Sequence, residues 1–416
     1  MRLLIVGGGG REHAIAWKFS QSPQVDTLYC APGNAGIAQI ATCVPIKATD
    51  LDAMVRFAVT EAIDLVFVAP DDPLALGMVD ALQQAGIRAF GPSRAAARIE
   101  ASKSFAKDLM RRYQIPTADY AVFDSVEPAL AHLNSCDLPI VIKADGLALG
   151  KGVIIAQTQL EAEQAVRDML EGNAFGQAGS RVVIESFLTG PELTVLAFAD
   201  GQTVVPMVSS RDHKRAFDHD QGPNTGGMGT IAPGARLSAQ DQEQMLTTIF
   251  QPTIDAMAAE GCPFKGVIYF GLMLTPSGPK VIEYNARFGD PEAQVVLPLL
   301  ETDLVDICLA VLDGRLDQID IRWQDRNACC VVLASGGYPG AYETGYPISG
   351  LDSVTESLVF HAGTRQDGAT IVTAGGRVLG VTAVSDTLEG AISQAYQDVA
   401  RIHFDKVHYR RDIGRT

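Results

Sequence analysis

The sequence predicts an α/β protein in three parts: an N-terminal doubly wound parallel-sheet domain, a central region of hairpins and helices, and a small C-terminal α+β domain. Up to residue 101, short apolar runs alternate with helical patterns. From there to residue 325, apolar strands face each other across glycine-rich turns and are spaced by helices. From 326 to 416 the pattern shifts to short strands at 328–334, 358–361, 370–373 and 377–384, followed by a helix at 387–402.

The first run, R-L-L-I-V-G at 2–7, enters four glycines (Gly7 to Gly10) and then R-E-H-A-I-A-W-K. Strand, tight turn and helix start is the geometry in which backbone N–H groups meet an anion. Further apolar runs at 25–30, 63–69 and 87–90 alternate with helical patterns at 51–61, 74–85 and 94–113. Strands that are apolar throughout, each followed by a helix, imply a Rossmann-like parallel sheet covered on both faces. Ligands of such sheets bind at the loops leaving the strands. Those loops are 7–13, 31–36 (A-P-G-N-A-G) and 69–74 (A-P-D-D-P-L). The dinucleotide fingerprint G-x-G-x-x-G is absent, because Glu12 stands where the third glycine would be needed.

Residues 139–156, P-I-V-I-K-A-D-G-L-A-L-G-K-G-V-I-I-A, read as strand, glycine loop, strand. Such a hairpin folds over a polyphosphate, with Lys151 above it and Lys143 approaching from the strand. It lacks the spacing, the Ser/Thr and the following helix of a Walker loop. A helix at 159–171 leads to R-V-V-I-E-S-F-L at 181–188, with Glu185 near its end and Glu192 shortly after. Exposed carboxylates on an edge strand serve solubility; these two also have the chemistry to take ribose hydroxyls and an adenine amino group. Next come S-R-D-H-K-R-A-F at 210–217 and G-P-N-T-G-G-M-G at 222–229. The composition predicts one long binding loop or lid. A helix at 239–260, a strand at 267–274, a T-P-S-G-P turn, a strand at 280–287 and a helix at 294–313 complete the region.

The strand V-I-E-Y-N-A-R alternates with period two, so Ile282, Tyr284 and Ala286 face one way and Glu283, Asn285 and Arg287 the other. A carboxylate beside an amide oxygen suits a hard divalent cation whose other positions go to phosphate oxygens and water. Arg287, next in the row, has the charge to neutralise an anion on the same metal.

A net charge of −16 without a basic tract excludes nucleic acid and anionic membranes as expected partners. No apolar run reaches the length of a membrane span, and the first run is too short for a secretory core, so a cytoplasmic location is expected. The seven cysteines form no C-x-x-C pair, which suits reduced thiols.

Taken in order, twelve short motifs resemble the phosphoribosylamine–glycine ligase family of the ATP-grasp superfamily. They are G-G-G-R-E-H-A at 8–14, G-N-A-G at 33–36, F-G-P-S at 90–93, S-K-x-F-A-K at 102–107, K-A-D-G-L-A-x-G-K-G at 143–152 and D-H-K-R at 212–215. They continue as G-P-N-T-G-G-M-G at 222–229, R-F-G-D-P-E at 287–292, G-G-Y-P-G at 336–340, F-H-A-G-T at 360–364, G-G-R-V-L at 375–379 and Y-R-x-D-I-G at 409–414.

The resemblance implies an ATP-grasp domain over 102–325 with a lid at about 117–190, between the flanking domains 1–101 and 326–416. It implies a ligase joining glycine to 5-phosphoribosylamine at the expense of ATP, with Mg²⁺ or Mn²⁺, acting as a monomer or weak homo-oligomer. On that basis Lys103, Lys143 and Lys151 are expected at the ATP phosphates, and Glu185, the Leu188 backbone and Glu192 at the adenosine. Glu283 and Asn285 are expected at the metal. Gly9, Asn34, Asp212, Lys214 and Arg287 are expected on the glycine and amine side, with Arg287, Lys143 and Asp212 in catalysis. Asp71-Asp72 departs from the family pattern and keeps open an ATP-grasp carboxylate–amine ligase with a different amine acceptor.

Overall fold

Chain order and sheet pairing explain where the ligand-facing loops lie. The computed structural model describes residues 1–146, 152–172 and 180–415. Strand β1 (Arg2–Gly7) leads through α1 (Gly10–Ser20) to β2 (Thr27–Pro32), β3 (Thr42–Cys43), α2 (Leu51–Thr60) and β4 (Leu65–Val68). Two short helices, α3 (Asp71–Leu76) and α4 (Met78–Gln84), precede β5 (Ala89–Phe90). The five strands pair parallel in the order β3-β2-β1-β4-β5. The central β1 is covered on both faces: Leu4 and Val6 enter one apolar core and Leu3 and Ile5 another. That is why the strand reads as an unbroken apolar run. The strand order reverses beside β1, so the loops after β1 and β4 open toward one crevice.

The expected helical run 94–113 is two helices, α5 (Arg94–Ala101) and α6 (Lys103–Arg112). Ser102 between them is extended (φ −139°, ψ 107°), and its hydroxyl accepts the Phe105 N–H at 3.2 Å. A serine cap outweighs helix continuation here, and the break places Lys103 at a helix start.

The next unit comprises β6 (Tyr120–Phe123), α7 (Val126–Leu133), β7 (Ile140–Ala144), β8 (Val153–Ala156), α8 (Gln159–Leu170) and β9 (Val182–Ser186). Its antiparallel sheet runs β6-β9-β7-β8 and has its own core of Leu133, Ile142, Val166, Met169 and Ile184. The loop tip carrying Lys151 lies outside the described residues.

Strand β10 (Glu192–Asp200), absent from the sequence expectation, and β11 (Val204–Pro206) start the central sheet. Then come β12 (Arg211–Asp212), β13 (Arg215–Phe217), β14 (Gln221–Asn224) and β15 (Gly229–Ala232). Helices α9 (Ala239–Met245) and α10 (Gln251–Ala259) lead to β16 (Lys265–Thr275) and β17 (Gly278–Asn285), completing an order β11-β10-β16-β17. The expected helix 294–313 is interrupted: α11 (Ala293–Val296) ends before Pro298, and α12 (Leu304–Asp313) starts afresh from an Asp303 cap on the Val305 N–H at 2.9 Å.

The stretch 210–229 is not one long loop. β13 and β14 form a hairpin, Met228 is fully buried, and its N–H bonds to His213 O at 2.9 Å. Glycines put the reading off, although the segment carries its own apolar anchor.

The C-terminal unit holds β18 (Asn327–Ser335), β19 (Leu358–His361), β20 (Thr364–Asp367), β21 (Thr370–Thr373), β22 (Arg377–Ser385), α13 (Leu388–Val399) and β23 (Val407–His408). Its main sheet runs β12-β15-β18-β22-β19, so two strands of the central region complete it. Among the described residues no helix is long and apolar enough to cross a membrane.

Candidate active site

Strand β17 positions the row read from the sequence, with one correction to its alternation. Gly271 of β16 pairs with Glu283 but Leu272 pairs with Val281, leaving Ile282 as an extra residue. This bulge turns Val281 inward with Tyr284 and Ala286 and leaves Ile282 half-buried. It also presents the Ile282 carbonyl, which accepts from Lys143 Nζ at 3.1 Å. Lys143, on β7, thereby ties the small antiparallel sheet to the central one.

Glu283 lies in a basin of cations. Burial would raise its pKa, but Lys214, Lys143, Lys103 and Arg287 outweigh that and hold the carboxyl below the usual range. Lys214 Nζ stands 3.4 Å from Glu192 and 3.7 Å from Glu283. Burial opposes its charge, yet Glu192 and Glu283 hold the ammonium well above the ordinary lysine pKa. Asn285 Oδ1 accepts from Arg287 Nη2 at 3.0 Å, and the same nitrogen lies 2.9 Å from Glu100 of α5.

The lysine side of the site contains a residue the sequence reading did not single out. Lys107 Nζ lies 2.9 Å from Glu185 Oε2 and donates to Thr117 Oγ1 at 2.7 Å. Lys143 Nζ stands 3.0 Å from the other oxygen of the same carboxylate. Glu185 is thus a buried carboxylate between two ammonium groups rather than an open edge-strand acid. Burial pushes it up, but the two lysines leave it below its usual pKa. Lys107 is one helical turn beyond Lys103 on α6, so S-K-x-F-A-K held a signal in its spacing. Lys103 Nζ donates to Gly146 O at 2.9 Å, where the glycine hairpin begins. Beside it, Asp145 accepts from the Ser104 N–H at 2.6 Å and pairs with Arg181 at 2.7 Å, fixing α6 against β7. Leu188 is half-buried on the segment joining β9 to β10, and Glu192 opens β10 with its side chain exposed.

Asp212 ends β12. Burial and the neighbouring carboxylate of Glu292 raise its pKa well above the usual carboxylate range, against the pull of Lys214 and Arg377. Glu292 is buried and its pKa is raised by the same desolvation.

Gly9 and Asn34 sit at the crevice of the first sheet, and their polar groups already have partners. The Gly9 N–H donates to Glu12 Oε2 at 2.6 Å. Asn34 Oδ1 accepts from the Gly36 and Ile37 N–H groups, each at 3.0 Å, and Nδ2 donates to Gly8 O at 2.9 Å and His361 O at 2.7 Å. Asn34 therefore shapes the glycine turn and docks it on the C-terminal unit. The crevice reaches the rest of the site through Arg11, which donates to Phe288 O at 3.1 Å and from its own N–H to Asp290 Oδ2 at 3.4 Å.

Glu283 and Asn285 fit a hard divalent ion: both are oxygen donors on one face, and Glu283 is held ionised. Among the described residues no three His, Cys, Asp or Glu side chains gather to hold a metal alone. Two protein donors with ligand oxygens is the arrangement expected where the metal arrives with a phosphate chain.

Family models match nearly the whole chain: the phosphoribosylglycinamide synthetase N domain over residues 1–100, its ATP-grasp (A) domain over 101–293 and its C domain over 328–416. Among similar proteins, the phosphoribosylamine–glycine ligase of Vibrio cholerae serotype O1 is 51% identical over 419 residues, covering 100% of this chain and 98% of the relative. The one from Allochromatium vinosum is 52% identical over 419 residues, with coverage of 100% and 98%. The crystal structure of phosphoribosylamine–glycine ligase from Thermotoga maritima superposes with a TM-score of 0.89 at 34% identity, covering 99% of this chain and 100% of that one. The biotin carboxylase domain of Hydrogenobacter thermophilus 2-oxoglutarate carboxylase shares the fold alone, with a TM-score of 0.76 at 15% identity over 98% of this chain and 91% of that one. The ATP-grasp class works on small molecules with ATP and a divalent metal ion. With relatives and domains matched from end to end, the chain belongs to the phosphoribosylamine–glycine ligase family and is an ATP-dependent ligase.

Proposed function

We infer that this chain joins glycine to 5-phosphoribosylamine, giving glycinamide ribonucleotide, ADP and phosphate in purine biosynthesis, through a glycyl phosphate. The observation that carries the reading is the carboxylate of Glu283 with Lys214 at 3.7 Å, in a site where Lys143, Lys103 and Arg287 add positive charge that holds it ionised. A basin of fixed cations around one metal-type ligand is what a transferring phosphoryl group requires.

In the first step a glycine carboxylate oxygen attacks the γ-phosphorus while the bond to the bridging oxygen breaks and ADP leaves. Lys103 and Lys143 offset the charge of the phosphates, and Arg287 aligns the attacking carboxylate with its planar fork. Glu283 and Asn285 would hold Mg²⁺ or Mn²⁺, which would supply Lewis-acid charge neutralisation. In the second step the ribosylamine nitrogen attacks the acyl carbon, phosphate leaves with the bonding electron pair, and the nitrogen loses a proton. Asp212, whose basicity is raised by burial and by Glu292, is the acceptor of that proton. The Leu188 backbone and Glu192 are assigned to the adenosine, and Glu185, enclosed between Lys107 and Lys143, acts there through those lysines. Lys151, between β7 and β8 in the sequence, is assigned to the ATP phosphates. Cysteines without disulfide partners suit a reducing cytoplasm.

Glycine labelled with ¹⁸O in its carboxylate tests the intermediate. Transfer of one label to inorganic phosphate, dependent on the amine, is the expected result. Phosphate free of label would remove the acyl phosphate step.

A further inference from the structure

We propose that Arg377, on β22 of the C-terminal unit, is a positioning residue for the acceptor half of the active site. It sets the spacing between the 225–229 glycine segment and the 289–292 turn. The proposal deepens the ligase reading and rests on it for the identity of the acceptor.

The guanidinium reaches both segments at once. Its Nη1 donates to Asp290 O at 2.6 Å, to Gly226 O and, more distantly, to Gly227 O at 3.5 Å. Its Nη2 stands 3.4 Å from Asp290 Oδ2. A second group of the same unit supports it: the Tyr338 hydroxyl accepts the Gly226 N–H at 3.0 Å. Asp290 in turn meets the start of α1 through the Arg11 N–H and is held by Gln294 Nε2 at 2.7 Å. The three parts of the chain therefore meet at one carboxylate, with Arg377 as the cation that joins them.

The spacing matters because the glycine segment packs directly on acid groups of the site. A Cβ on Gly227 (φ +112°) would come within 2.7 Å of Asp212 Oδ1 and 2.5 Å of Pro291 Cδ. A shift of Gly227 toward Asp212 would therefore displace that carboxylate or be stopped by it. Arg377 directs its terminal donors at protein oxygens, so it orders the site rather than binding substrate. Lysine cannot reproduce this fan from one point charge. The ATP-side lysines, on α6 and β7, are held by Gly146, Glu185, Thr117 and Ile282 instead. An effect of Arg377 should therefore fall on the acceptor and spare ATP.

The test combines kinetics with a packing probe. A Cβ on Gly226 would lie 3.0 Å from Arg377 Cζ, so Gly226→Ala makes the guanidinium give by a few tenths of an ångström. Arg377→Ala should raise the KM for the ribosylamine roughly tenfold, the scale of a displaced reacting group, and leave the KM for ATP within about twofold. Tyr338→Phe, which removes one hydrogen bond and is the milder variant for folding, should raise the ribosylamine KM about threefold. Gly226→Ala should show a smaller loss of the same kind, and the double variant should be no worse than Arg377→Ala alone. Amide exchange at 225–228 should accelerate in Arg377→Ala, a readout independent of turnover. Additive effects in the double variant, equal losses for all three substrates, or unchanged exchange at 225–228 would overturn the proposal. Absence of glycinamide ribonucleotide from the unmodified protein would count instead against the ligase reading, with the exchange result still deciding the role of Arg377.

Discussion

The Glu100 carboxylate lies 2.9 Å from the Arg287 guanidinium, while its other oxygen accepts the Ala286 N–H at 2.7 Å. One buried acid thus fixes both the backbone and the side chain at the end of β17. Glu100→Gln leaves an amide NH₂ facing one of two donors. Breaking a buried pair costs about 3–5 kcal/mol when it is fully enclosed. Arg287 keeps 18% of its side-chain exposure, so roughly 2 kcal/mol is expected. Urea unfolding of Glu100→Gln checks this, and turnover should fall with it because Arg287 loses its aim.

An alkaline limb in activity is expected from Lys107. Burial lowers its pKa to about 8 despite the Glu185 carboxylate, against about 10.4 in an unfolded chain. Between those values the folded state binds fewer protons than the unfolded state, so this group alone makes stability rise with pH there. Function goes the other way, because Glu185 loses one of its two cations. The KM for ATP should rise above about pH 8, and Lys107→Arg, charged throughout, should move that rise to higher pH. An unmoved limb would assign it to another group.

Lys143 has two duties, one toward Glu185 and one toward the Ile282 carbonyl. Lys143→Met should lower turnover at saturating ATP at least about a hundredfold, the scale of losing a preorganised charge at a transferring phosphoryl group. It should also speed amide exchange in β7 and β9 by releasing the small sheet from β17. Turnover near that of the unmodified enzyme would remove Lys143 from the chemistry.

The metal row separates by charge. Glu283→Gln removes a full negative charge and should raise the Mg²⁺ or Mn²⁺ needed for half-maximal turnover the most. Asn285→Asp adds one and should lower that requirement while slowing transfer, since it opposes the glycine carboxylate. Arg287→Lys should damage the acyl phosphate step more than ATP affinity. Metal titrations of the three variants check the order; an unchanged requirement in Glu283→Gln with a shifted one in Arg287→Lys would move the metal elsewhere.

Much of the fold was legible because local pattern and tertiary burial agree. β1 reads as an unbroken apolar run because it is covered on both faces, and the polar side of β17 reads as a row because that face opens on the site. Errors arose where a single residue decides a break. Ser102 caps α6, Asp303 caps α12, and the extra residue at Ile282 moves Val281 to the inner face. The 222–229 stretch reads as one loop from its glycines, yet β14 and β15 take up its ends and Gly227 comes close to Asp212. Glu100, Lys107 and Arg377, which went unseen, pair with residues distant in sequence. Their helices and strand carry no local sign of the charge they meet, except the one-turn spacing of Lys103 and Lys107.

The most direct test of the central claim is ADP release with a panel of amino acids, each with and without 5-phosphoribosylamine. Release that requires both glycine and the ribosylamine and yields glycinamide ribonucleotide in equal amount is the expected result. Release sustained by another amino acid, or by glycine with a different amine in place of the ribosylamine, would contradict it.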